Sequence, residues 1–160
     1  MRSRLKKEKI LVSACLFGIG CRFDGKTKDY EIAPRLMDKA ICFPVCAEIL
    51  GGFGVPRRRI EIKDGDGKDV LEGKAKVLTQ KGIDVTNEMV KAARVILEFC
   101  LNADIKKAVL KEKSPSCAKH FIHDGCFANK IIEGKGVLTA LLEQYGIEVF
   151  SETEIDKLCP

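Results

Sequence analysis

Eight cysteines stand against two histidines in this chain of 160 residues, so sulfur is the first chemistry to consider. Three of the cysteines follow apolar runs that read as strands. Cys15 follows residues 10–14, Cys46 follows residues 41–45, and Cys117 lies beyond residues 105–110. In an open α/β sheet the carboxyl ends of the strands share one edge, where ligands gather. Three thiols from distant stretches can therefore meet. A Pro or Gly near each of them suits close backbone approach and amide donors to sulfur. Three thiolates at one point suggest a metal. Zinc on three cysteines wants a fourth protein ligand or a water. A 4Fe–4S cluster on three cysteines leaves one iron open, and its sulfurs suit hydrogen-bond donors. Spacing alone leaves both open. Local ferredoxin spacing and the close cysteine triplet of radical-SAM loops are both absent.

The other cysteines have plainer roles. Cys100 sits on an apolar helical face and Cys42 alternates within a strand, so both are expected in the core. Cys42-x3-Cys46 could also be half a zinc site. Cys126 near a turn and Cys159 in the tail are expected to be incidental. Cys21 is the rival ligand. Basic residues from Arg2 to Lys9, then an apolar stretch ending before Cys21, imitate a lipoprotein leader. Cleavage there would delete the best strand and Cys15 with it. The expected compartment is the cytoplasm, with reduced thiols, where a cysteine-rich pattern means metal or catalysis more often than bridges.

The elements that must position these thiols follow from the apolar pattern. Strands are expected at 10–14, 41–45, 105–110 and 147–150, with a short helix over 33–39. Thr86 caps a helix whose Met89, Ala93, Ile96, Leu97, Cys100 and Leu101 share a face. A second long helix covers 136–145, stopped by Gly146. Residues 60–62 and 69–72 read as a small hairpin across 63–68. Strands alternating with helices predict one α/β domain over 1–160: a mostly parallel, Rossmann-like sheet flanked by helices. No apolar run reaches the roughly 18 residues of a membrane helix. At 46% hydrophobic and 32% charged the chain is not a disordered one. The net charge of +5 permits an anionic ligand without demanding nucleic acid.

Taken in order, several segments resemble the thiouracil desulfurase family. They are Val12-Ser13-Ala14-Cys15-Leu16 with Cys21-Arg22-Phe23-Asp24-Gly25, and Cys46-Ala47-Glu48 with Gly51-Gly52 and Pro56-Arg57. Ser114-Pro115-Ser116-Cys117, Asp124-Gly125 and Gly134-Lys135-Gly136-Val137 complete the set. The resemblance spans about residues 9–152. It implies a cytoplasmic enzyme that converts a thiolated uracil, a small-molecule substrate, to uracil and hydrosulfide with an oxygen-sensitive 4Fe–4S cluster. By the same resemblance the cluster ligands are Cys15, Cys46 and Cys117, and the catalytic residues are Glu48 and Ser114. The sequence departs from the family pattern at Ala47 (for proline), Ala118 (for glycine), Cys126 (for threonine), His123 (for tyrosine) and Leu138-Thr139. None of these removes an implied ligand.

The implied chemistry needs three things. The leaving sulfur needs a soft Lewis acid, which an open iron supplies. The ring carbon needs a water activated by a base, and Glu48, two residues past Cys46, is placed for that work. The ring needs orienting, which the Ser114 hydroxyl could do. Arg22 and Asp24 could pin the first loop or meet substrate, and Arg57 could pair structurally or hold a phosphate. His120-x2-His123 reads as a surface pair, and residues 64–75 fail as a calcium loop because Ala75 stands where glutamate is needed. Two other functions fit the same cysteines. One is a non-catalytic binding module stabilised by zinc or a cluster, using Cys21 or Cys42 as a fourth ligand. The other is a metal-free persulfide carrier with one reactive thiol such as Cys117.

Overall fold

A computed structural model describes residues 7–27 and 31–159. Arg2, Arg4 and Lys6 of the basic run lie outside the described residues. The chain runs through β1 (Glu8–Ser13), a 3-10 turn (Ala14–Phe17), α1 (Ile32–Lys39), β2 (Ala40–Val45) and α2 (Ala47–Leu50). It continues with β3 (Ile60–Lys63), α3 (Gly67–Leu71), β4 (Lys76–Thr79), α4 (Thr86–Ala103) and β5 (Lys107–Leu110). The last part holds β6 (Phe121–His123), β7 (Ile131–Glu133), α5 (Val137–Gln144), β8 (Glu148–Ser151) and α6 (Ile155–Leu158).

The four runs expected as strands form one parallel sheet in the order β2-β1-β5-β8. Both of its faces are buried, as parallel sheets require. Alternate residues divide between two cores. Leu11, Ala108, Leu110 and Val149 face α4 and α5, while Ile10, Val12, Val109 and Phe150 face Ile32 and Leu36 of α1. Pro44 costs no central ladder bond because β2 is an edge strand. Val12 pairs with Pro44 on one side and Val109 on the other. The three strands therefore end almost level, and the loops that leave them start from one line.

Cys100 is fully buried, as its helical face predicts, but Leu101 is 47% exposed and points away from the core. Cys159 is buried rather than incidental, packed in the core beneath α1. The hairpin expected over 60–72 is replaced by α3. Asp66 accepts the N–H groups of Lys68 and Asp69 at 2.9 and 3.3 Å, and Asp69 accepts that of Asp66 at 2.9 Å. This reciprocal capping starts a helix where apolar alternation suggested a strand. The true partner of β3 is β4. Thr86 opens α4 without capping it: its hydroxyl accepts the Val77 N–H and donates to Asp84. Among the described residues, no helix is long and apolar enough to cross a membrane.

The chain end is tied to the sheet through Glu154. Burial pushes its carboxyl up, but bonds from Lys157, His120 and the Ser151 N–H outweigh that and hold it at about 2. A carboxyl lower in the folded than in the unfolded chain adds stability above its ordinary value, lost as the pH falls towards the folded one. Glu154→Gln should therefore lower denaturant stability at neutral pH, and the deficit should shrink between about pH 4.5 and about pH 2. A deficit independent of pH would contradict this reading.

Candidate functional site

A cavity of about 390 Å³ opens where β1, β2 and β5 end. Cys15, Cys46 and Cys117 all line it, together with Glu48 and Ser114. Cys21 lines it too, whereas Cys42 packs against the core beneath α1. The structure thus brings the five expected residues together and separates the two rival cysteines.

Each thiol is set by local backbone chemistry. Cys15 rides on the 3-10 turn closed by Gly18, whose φ of 74° is left-handed and favours glycine. Cys46 directly precedes α2, its carbonyl accepting the Leu50 N–H at 3.0 Å. Cys117 sits in a turn organised by Ser114, whose hydroxyl oxygen accepts the N–H groups of Ser116 and Cys117, both at 3.2 Å. The Ser116 hydroxyl lies 3.4 Å from the Cys117 sulfur, and Thr139 donates to the Cys117 carbonyl at 2.7 Å.

This loop also depends on Gly136, for reasons of space. A Cβ there would lie 2.3 Å from the Ser116 carbonyl carbon and 2.6 Å from the Cys117 nitrogen. These are backbone atoms with little room to give. Gly136→Ala should cost roughly 1–3 kcal/mol or more, as overpacking does. It should also displace Cys117, read as a lower unfolding midpoint together with loss of metal uptake. Normal uptake in a destabilised variant would refute the second part.

Glu112, which belongs to no sequence motif, closes the loop behind Cys117. One oxygen of its carboxylate accepts the N–H groups of Lys119, His120 and Phe121 at 3.0–3.1 Å. Arg57 proves to be a structural partner: its Nε donates to the Glu48 carboxylate at 2.5 Å, and both side chains are buried. Arg22 stands 3.7 Å from Asp24 at the cavity wall. The two histidines do not pair. His120 bonds Glu154 at 2.7 Å, and His123 lines the cavity.

Burial governs the electrostatics. It pushes the Cys15 thiol up to about 12, with Cys117 and Cys21 adding to the shift and Lys111 opposing it. It raises Cys117 to about 11 against the Ser116 and Ser13 hydroxyls, and Cys21 to about 12. Glu48 is also raised by burial, with the Arg57 charge and hydrogen bond pulling the other way. Without a cation the wall favours neutral thiols, and a metal is what would make thiolates of them.

Among the described residues, no three His, Cys, Asp or Glu side chains come together tightly enough for a single ion. The three thiols instead share the wall of a cavity far larger than an ion, with room for a cluster. Two buried polar atoms lack a protein partner among the described residues, Glu112 Oε2 and His123 Nδ1. Both belong to residues of this cavity, which is therefore where the protein's own bonding is incomplete. Donor type and cavity volume fit a 4Fe–4S cluster.

Comparison with known proteins points the same way. The chain is 43% identical over 149 residues to the uncharacterised protein YbbK of Bacillus subtilis (strain 168), covering 93% of this chain and 99% of that one. The solved structure of the 4Fe–4S-dependent thiouracil desulfidase TudS is similar with a TM-score of 0.78 and 38% identity, over 95% of each chain. The family model of 2-thiouracil desulfurase matches residues 10–154. This chain belongs to the 2-thiouracil desulfurase family.

Proposed function

We propose that this protein is a cytoplasmic desulfidase that hydrolyses a thiolated uracil to uracil and hydrosulfide without net redox change. Cys15, Cys46 and Cys117 would hold a 4Fe–4S cluster. The observation that carries this is the meeting of those three thiols and Glu48 in one cavity of a member of this family. When bound, the cluster supplies a soft Lewis acid for the leaving sulfur.

The chain's own residues supply the rest. Glu48 takes the proton of the attacking water at a carboxylate oxygen, and burial makes it a stronger base than a solvated glutamate. Arg57 holds the carboxylate in place through Nε. The Ser114 oxygen already accepts two N–H groups, so its own proton remains to be donated. It can go to the Ser116 hydroxyl at 2.9 Å or to a polar edge of the ring.

One observation favours a second reading. Cys21 in the cavity makes four thiols, enough to ligate every iron of a structural cluster in a non-catalytic binding module. The two readings part at Cys21→Ser. As a desulfidase, the variant loaded anaerobically should keep its iron and release hydrosulfide at a rate within about threefold of wild type. As a binding module, it should lose its metal, and neither form should release hydrosulfide from 2- or 4-thiouracil.

A further inference from the structure

The cavity wall mixes thiols and charged side chains with aliphatic ones such as Val45 and Ile60. Among the described residues, and apart from the imidazole of His123, Phe23 carries the only aromatic ring lining it. Phe23 is 37% exposed. Its backbone is held in place. The Phe23 carbonyl accepts the Arg57 N–H at 2.8 Å, which ties it to the arm that holds Glu48. The Arg59 guanidinium lies 5.9 Å from the ring centroid. Arg59 in turn is held by Glu61 at 3.2 Å and Asn129 at 2.9 Å. Glu61 is only 2% exposed and also accepts the Phe127 N–H at 3.0 Å. A buried carboxylate thus anchors a guanidinium, and the guanidinium backs an aromatic ring left open beside the thiols.

An exposed benzene ring beside charged groups suits a flat ligand with apolar faces and a polar edge. A pyrimidine has that shape. An acyclic thioamide offers the same carbon–sulfur bond without the faces. Resting on the desulfidase reading, we infer that Phe23 is the platform on which the substrate ring stacks, with Arg59 as its positioning residue. The site therefore selects planar heteroaromatic thiones.

The test uses the anaerobically loaded full chain. Phe23→Ala should raise KM for 2- or 4-thiouracil about tenfold, the scale of losing one base–aromatic stack. Its kcat should stay within about threefold of wild type. Calorimetry with uracil, the product, should show a matching loss of affinity. Phe23→Tyr should restore both, whereas Phe23→Leu, which fills the space without stacking, should not. Arg59→Ala should raise KM in the same direction by less. Iron content reports folding and loading in every variant. If Phe23→Ala fails to load, the Tyr and Leu variants still decide. Unchanged KM and uracil affinity, or a Leu variant equal to wild type, would overturn the inference. Uracil or thiouracil binding that depends on Phe23 without hydrosulfide release would refute the desulfidase reading and leave the platform standing. A wild-type protein that binds neither would refute both.

Discussion

Cys117→Ala should lose the iron and the activity together. Iron and sulfide bound after anaerobic reconstitution should fall from about four each per chain to below about a tenth of that. Hydrosulfide release should fall at least about a thousandfold. The reason lies in the thiol's surroundings. Cys117 is buried, and two serine hydroxyls and Thr139 organise its sulfur and its carbonyl. The fourth thiol of the cavity, Cys21, sits on a different loop from the one that Glu112 and Gly136 hold. The fold should survive, because truncating a small side chain costs only about 1 kcal/mol. Cys15→Ala and Cys46→Ala should behave alike. Cys42→Ala and Cys100→Ala are the controls: both side chains lie off the cavity, so metal uptake should persist. Uptake retained in Cys117→Ala, or lost in Cys42→Ala, would show that the wrong thiols have been assigned.

Glu48→Gln separates holding from chemistry. The variant should keep wild-type iron and colour, while kcat falls about 10²- to 10⁴-fold, the range of a lost general base. Glutamine is the right replacement because its carbonyl oxygen can still accept from Arg57 Nε. Alanine would leave the buried guanidinium unpaired, a loss of about 3–5 kcal/mol that would confuse misfolding with lost catalysis. Turnover within a few-fold of wild type would remove Glu48 from the mechanism and leave the cysteine assignment untouched. Loss of iron in this variant would assign Glu48 to the cluster shell instead.

The sheet was legible because each of its strands is a short apolar run. A parallel sheet buries both faces, so residues such as Ile10, Leu11 and Val12 need no alternation to be recognised. The cysteines could be grouped for a related reason: each follows such a run, and parallel strands deliver their ends to one edge. What stayed hidden depends on contacts between distant residues. Gly136 reads as one residue of a glycine-rich helix start, but it is needed for the backbone of Ser116 and Cys117 passing above it. Glu112 belongs to no motif, yet it gathers three backbone N–H groups of the next strand's approach. The strands β6 and β7 have three residues each, too few to show a period. Residues 63–69 did carry a local signal, the Asp66–Asp69 capping pair, outweighed in the reading by the apolar residues on either side.

The most direct measurement is made on wild-type protein reconstituted anaerobically with iron and sulfide, then given 2- or 4-thiouracil. Iron, sulfide, hydrosulfide and uracil are all counted. About four irons and four sulfides per chain are expected, with one hydrosulfide released for each uracil formed, over many turnovers and without added reductant. A colourless protein holding one zinc through four thiols and releasing no hydrosulfide would contradict the desulfidase reading.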